Sequence, residues 1–115
     1  MDDDDNFRAA LAASLRDDGH QVRECNSPRA LPPQALLGEV SALVTDYDMP
    51  DTDGLTFADG FHAAHPRVPI VLATALSSGI LRAQAAARDF LRLHDKLKGY
   101  EALHVLLHQL AGRSA

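Results

Sequence analysis

The sequence predicts an α/β fold, a doubly wound parallel sheet with helices on both faces, and three observations predict it. Segments with a helical apolar period alternate along the chain with short apolar runs. Two of those runs, Ser41 to Thr45 and Val68 to Thr74, are largely continuous rather than alternating, as strands buried on both faces are. Each run also ends in a polar side chain, Asp46 in one case and Thr74 in the other, at the carboxyl edge where parallel sheets carry their ligand sites.

The elements follow in order. Asn6 to Asp18 reads as a helix, with Phe7, Leu11 and Leu15 on one face and Gly19 as the stop. Gln21 to Cys25 is a weak strand candidate, since Val22 is its one strongly β-prone residue. Ser27-Pro28 offers an N-cap and a first-turn proline, but Pro32-Pro33 leaves any second helix short or broken. After the strand at Ser41 to Thr45 and the turn through Gly54, Leu55, Phe57, Ala58, Phe61 and Ala64 form a helical stripe that ends before Pro66. Val68 to Thr74 is the next strand. Ser77 or Ser78 caps an Ala-rich helix running through Ala87. Phe90 to Leu93 is a last short strand, and Leu103, Leu106, Leu107 and Leu110 mark a terminal amphipathic helix. Strands alternating with helices imply right-handed crossovers.

The 115 residues suffice for one domain, expected to span 1–115 with no second domain attached. Apolar and charged shares of 46% and 23% are ordinary globular values. No run approaches the roughly 20 apolar residues that span a bilayer, and no apolar leader follows the N-terminus. The single Cys25 has no internal disulfide partner and suits a reducing compartment, so a cytoplasmic protein is expected. The net charge of -5 and scattered basic residues argue against a nucleic-acid surface.

Asp46 is the candidate centre. An aspartate delivered to the edge of a sheet can hold a hard cation and act as a nucleophile toward phosphorus. Asp2-Asp3-Asp4-Asp5 supplies further acid. Carboxylates crowded together repel one another, and a divalent cation relieves that while bridging incoming phosphoryl oxygens. The plain alternative for the Asp run is a solvated acidic terminus or favourable charge at a helix start. Asp51 and Asp53 read as turn and cap residues. His104 and His108, four residues apart, could form half a metal site, but the sequence places no third ligand, and a solvated helix face is the simpler reading.

The Asp-x-x-Met-Pro-x-x-Asp-Gly stretch from Asp46 to Gly54, the Val-Pro-Ile-Val-Leu-Ala-Thr-Ala stretch from Val68 to Ala75, and the acidic run with Arg8 and Asp18-Gly19-His20 together resemble the receiver domain of two-component response regulators. The resemblance implies a flavodoxin-like, five-stranded parallel sheet in the order 2-1-3-4-5. It implies that Asp46 accepts a phosphoryl group from a sensor histidine kinase or a phosphotransfer protein, and that a downstream protein partner reads the result. It also implies Mg²⁺ as cofactor, with Asp3 as direct ligand, Asp2 beside it, Asp46, and the Asp48 backbone carbonyl. Thr74 would hydrogen-bond the phosphoryl group, and Phe90 would be the switching aromatic. Such a domain is a stoichiometric acceptor, not an enzyme.

Two departures from that family stand out. The usual lysine after the last strand falls on Leu93 when aligned without gaps, and Lys96 would reach the site only through a remodelled loop. The apolar first strand, which lies inside the sheet, is apparently missing, because only Met1 precedes the acidic pair. About five buried apolar residues at ~1.5–3 kcal/mol each amount to roughly 10 kcal/mol, comparable with the stability of a whole domain. Three explanations compete: a late or shortened start, a strand supplied by another segment or by a second copy in a homodimer, or a sheet rearranged to four strands. Two other functions follow from the same residues. One is a non-switching pseudo-receiver acting as a protein-interaction module. The other is a small metal-dependent phosphatase using Asp48 as a second acid.

Overall fold

The computed structural model describes residues 1–2, 4–26, 40–49, 52–75 and 78–114, with side chains as far as Leu110. Helix α1, Asp5–Asp17, opens on Asp4, whose side chain accepts the Phe7 N–H at 3.1 Å. It buries Leu11, Ala12 and Leu15, and the chain reverses after it at Gly19, where φ is +90°. Strand β1 (Leu43–Asp46) is followed by α2 (Gly54–Ala64), β2 (Ile70–Thr74) and α3 (Gly79–Ala86). Asp53 caps α2 and Ser78 caps α3, the latter by accepting the Leu81 N–H at 3.1 Å. Strand β3 (Leu91–Asp95) leads through a 3₁₀ turn (Lys96–Lys98) into α4 (Tyr100–Ser114).

The three strands are parallel in the order β1-β2-β3, in a register that pairs Asp46 with Ala73 and Thr74 with Asp95. All five residues of β2 are buried. Its side chains alternate between two cores. Ile70 and Leu72 pack with Leu43, Leu55 and Phe61 on one face, while Val71 and Ala73 pack with Leu11, Leu15 and Leu103 on the other. A central strand covered on both faces therefore requires apolar residues at every position.

The expected five-stranded order is corrected to three strands among the described residues. Gln21 to Cys25 builds no ladder. Charged Arg23 and Glu24, both exposed, leave it no apolar face with which to join the sheet. The place of the inner strand is held by Met1 and Asp2. The Met1 amine donates to Val44 O, and the Asp46 N–H donates to Met1 O at 2.9 Å, the two bonds one residue makes in a parallel ladder. On the far side, the Asp2 N–H donates to Cys25 O at 3.0 Å. A cleft of about 350 Å³ extends alongside, lined by residues such as Leu11, Leu15, Val22, Leu43 and Leu107. The broken helix expected around Ser27-Pro28 and Pro32-Pro33 lies outside the described residues.

Gly54 sets how closely α2 approaches the end of β1. A Cβ there would lie 2.1 Å from Asp46 O and 2.7 Å from a Leu72 methyl. Backbone cannot give way as a flexible side chain does. Gly54→Ala is expected to destabilise the domain by about 1–3 kcal/mol. Gly60→Ala, on the exposed face of the same helix with nothing within 4 Å, should be neutral or stabilising by about 0.5–1 kcal/mol. Urea denaturation of the two variants beside the parent checks both, and equal effects would refute the close-approach account.

Candidate functional site

Three chain segments meet at the carboxyl edge of the sheet. Asp46 ends β1, Asp2 lies beside it in the position of the inner strand, and Lys96 follows β3. All three side chains are at least nine-tenths buried: 10% of Asp46, 5% of Asp2 and 10% of Lys96 is exposed. Lys96 Nζ lies 2.6 Å from Asp2 Oδ2 and 3.5 Å from Asp46 Oδ2. It also sits 4.8 Å from the centre of the Phe7 ring, within cation–π range.

The remaining oxygens are held by backbone. Asp46 Oδ1 accepts the Tyr47 N–H at 2.8 Å, and Asp2 Oδ1 accepts the Asp4 N–H at 2.9 Å. Arg8 fixes the backbone under Asp2 by donating to its carbonyl at 2.6 Å, while its guanidinium pairs with Asp5 at 2.7 Å. The loop after Asp46 is pinned from below. Met49 is buried against Thr45, the Gly54 N–H donates to Tyr47 O at 2.7 Å, and Asp48 bridges backbone to Asp53. This accounts physically for the Met and the Gly in the motif.

Two buried carboxylates face one ammonium, so the cluster retains net negative charge. Burial pushes the Asp46 carboxyl up from 3.8 to about 6. The charge on Asp2 pushes the same way, while Lys96 and the Tyr47 N–H oppose it. Acidic oxygens left under-neutralised and converging from two segments fit a hard divalent cation. Of the expected site residues, Asp2 and Asp46 come together, joined by Lys96. Thr74, buried at the end of β2, stands one register position beyond the Ala73 that pairs with Asp46. The Asp48 side chain is exposed, Asp53 caps α2 through a 2.8 Å bond to the Thr56 N–H, and Asp3 and Asp51 lie outside the described residues.

The expected absence of the lysine is corrected. Strand β3 starts at Leu91 and continues through His94 and Asp95, so the site position falls on Lys96 instead of Leu93. The polar pair concealed this extension. His94 is buried, its ring bonded to Gly99 O at 3.2 Å, and Asp95 pairs with Thr74 across the ladder. The same shift of three residues moves the place expected for Phe90 onto Leu93. Phe90 itself precedes β3, at the opposite end of the sheet, and stacks on His62 with ring centres 3.8 Å apart. The roles of Phe7 under Lys96 and of Arg8 at Asp2 were not read from the sequence. The one available signal was Arg8 following the acidic run.

A raised carboxyl pKa has a definite sign for stability. The folded state holds the proton more tightly than the unfolded state, so Asp46 costs stability increasingly as pH rises from 3.8 to about 6, and fully above that. Asp46→Asn should therefore stabilise the metal-free domain by about 1–3 kcal/mol at pH 7.5. That advantage should shrink through this window and vanish below pH 3.8. Denaturation curves across pH test this, and a pH-independent difference would show that Asp46 is not strained by charge.

Comparison with known proteins gives a consistent match. The family model described as the response regulator receiver domain matches residues 1–104. No curated protein matches the chain. Among solved structures, a receiver domain protein (CheY-like) from Methanospirillum hungatei JF-1 is similar at 15% identity with a TM-score of 0.82, over 98% of this chain and 90% of that one. Chemotaxis protein CheY4 of Vibrio cholerae is similar at 20% identity with a TM-score of 0.78, over 95% and 92%. A response regulator protein from Burkholderia pseudomallei, with a phosphorylated aspartic acid, calcium ion and citrate, is similar at 22% identity and a TM-score of 0.76. This chain is covered over 97% there and spans 66% of that protein. No helix among the described residues is long and apolar enough to cross a membrane.

Proposed function

The chain belongs to the response regulator receiver family, and on that premise we propose that it is the phosphoacceptor of a two-component system. Asp46 takes a phosphoryl group from a sensor histidine kinase or a phosphotransfer protein in the cytoplasm. The modified domain then presents an altered surface to a downstream protein partner. The observation that carries this reading is the buried pairing of Asp46 with Asp2 across Lys96.

In the transfer, a lone pair of an Asp46 carboxylate oxygen forms the new O–P bond. The P–N bond to the donor imidazole breaks, and its electrons stay on the ring nitrogen, which takes up a proton. The carboxylate must be ionised to attack, and a pKa raised to about 6 still leaves it mostly so at neutral pH. Lys96 supplies positive charge to the phosphoryl oxygens, and the Thr74 hydroxyl supplies a hydrogen bond. Asp2, Asp46 and the Asp48 carbonyl are the groups that would hold Mg²⁺, with Asp3 next in the chain. Bound there, Mg²⁺ neutralises the crowded carboxylates and the incoming phosphoryl group. The domain is consumed once per transfer and is not a turnover catalyst.

Lys96 in the site speaks for switching over the non-switching interaction module, because phosphorylation replaces the Asp46 carboxylate with a larger, more highly charged phosphoryl group and so moves the anion that Lys96 pairs with. Intact mass after incubation with acetyl phosphate and Mg²⁺ tests the proposal. The parent should gain one phosphoryl group and Asp46→Asn none. Labelling that persists in the folded variant, or its absence from the folded parent, would overturn the assignment.

A further inference from the structure

At the end of the molecule where α1 stops, four metal-binding side chains converge from two segments. Asp18 caps α1, His20 follows the Gly19 reversal, and His104 and His108 stand one turn apart on α4. His20 Nε2 is 2.9 Å from His108 Nδ1, His108 Nδ1 is 3.2 Å from Asp18 Oδ2, and His104 Nε2 is 3.2 Å from the same oxygen. The ligand atoms of Asp18, His20 and His108 all lie within 4.8 Å of one another. His108 is exposed and His104 half-buried on that helix face, and both lie against Asp18. The third and fourth ligands come from a segment more than eighty residues away in the chain.

We propose that Asp18, His20 and His108, whose ligand atoms already lie together, form with His104, which reaches Asp18 and turns inward as the fourth ligand, a tetrahedral site for Zn²⁺ or a similar borderline divalent cation, pinning the end of α1 to α4. Tetrahedral Zn²⁺ with bonds of about 2.0 Å separates its ligand atoms by roughly 3.3 Å, close to the three distances above. Three imidazoles with one carboxylate suit such a cation and not the hard Mg²⁺ of the acidic edge. A neutral imidazole nitrogen presents one hydrogen or one lone pair in the ring plane. His108 Nδ1 nevertheless faces both a carboxylate and a second imidazole nitrogen, and a cation between them meets lone pairs from all. The other nitrogen of His104 is bonded to Ser14 Oγ, the kind of outer contact that fixes a ligating ring. The nearby cation Arg16 is occupied, 2.9 Å from Glu24 and 3.0 Å from Val22 O, and leaves Asp18 to the histidines. The site needs only side-chain adjustment, since Asp18 and His108 are about half exposed.

The test is calorimetric titration of untagged, full-length protein with Zn²⁺ in buffer saturated with Mg²⁺, which occupies the acidic edge. One equivalent should bind. His20→Ala and His108→Ala should each weaken it by roughly tenfold or more, and Asp46→Asn should leave it unchanged. Co²⁺ in place of Zn²⁺ should give the strong visible absorption of tetrahedral coordination, bleached by His108→Ala. A readout that needs no variant is ¹⁵N NMR of the imidazoles, where Zn²⁺ should move His20, His104 and His108 and spare His62, His65 and His94. No saturable binding to the folded protein, binding retained by the double variant His20→Ala/His108→Ala, or loss of binding in Asp46→Asn would each overturn the proposal.

Discussion

The ammonium of Lys96, held between the carboxylates of Asp2 and Asp46, is the contact around which this domain is arranged. Two negative charges buried a few ångströms apart are costly, and one positive charge offsets only part of the cost. The residual strain shows in the raised pKa of Asp46. The cation site proposed above draws on it, because positive charge brought to the cluster is bound more tightly than at an exposed acid.

Holding that cluster requires a rigid frame, and the frame comes from the sheet. Val71 and Ala73 on one face of β2, and Ile70 and Leu72 on the other, lock the central strand between two apolar layers. The ladder then puts Asp46, Thr74 and Asp95 at one edge by register alone. Gly54 lets α2 press on the Asp46 carbonyl, so the end of β1 has little freedom to shift. The inner position of the sheet is held differently. Met1 and Asp2 make only the last bonds of a strand there, and the cleft of about 350 Å³ beside them is apolar along much of its lining. The acidic pair thus depends on a short segment whose backbone is braced by Arg8 and by Cys25 O.

The α1–α4 contact carries a second polar assembly, at the end of α1 away from the Lys96 cluster, and the two differ in chemistry. One is carboxylate-rich and buried, the other imidazole-rich and half exposed. Donor sets of these two kinds favour hard and borderline cations respectively.

By itself, the sequence determined the alternation of helices and strands, the continuous apolar runs of β1 and β2, the caps at Asp53 and Ser78, and Asp46 at a strand end. These are short-range properties, set by periodicity and by local hydrogen bonding within a few residues. Only the tertiary structure decided the partners. Lys96 enters the site because β3 runs on through polar His94 and Asp95, which local propensity does not favour but which the Ala73 and Thr74 ladder stabilises. The weak strand at Gln21 to Cys25 stays outside the ladder because exposed Arg23 and Glu24 interrupt both of its faces. His20 and Asp18 meet His104 and His108 because packing of α1 on α4 closes a separation of more than eighty residues. Spacing along the chain carries no signal for contacts of that range, since the free energy that makes them is the burial of Leu11, Leu15, Leu103 and Leu107 between the helices and the sheet.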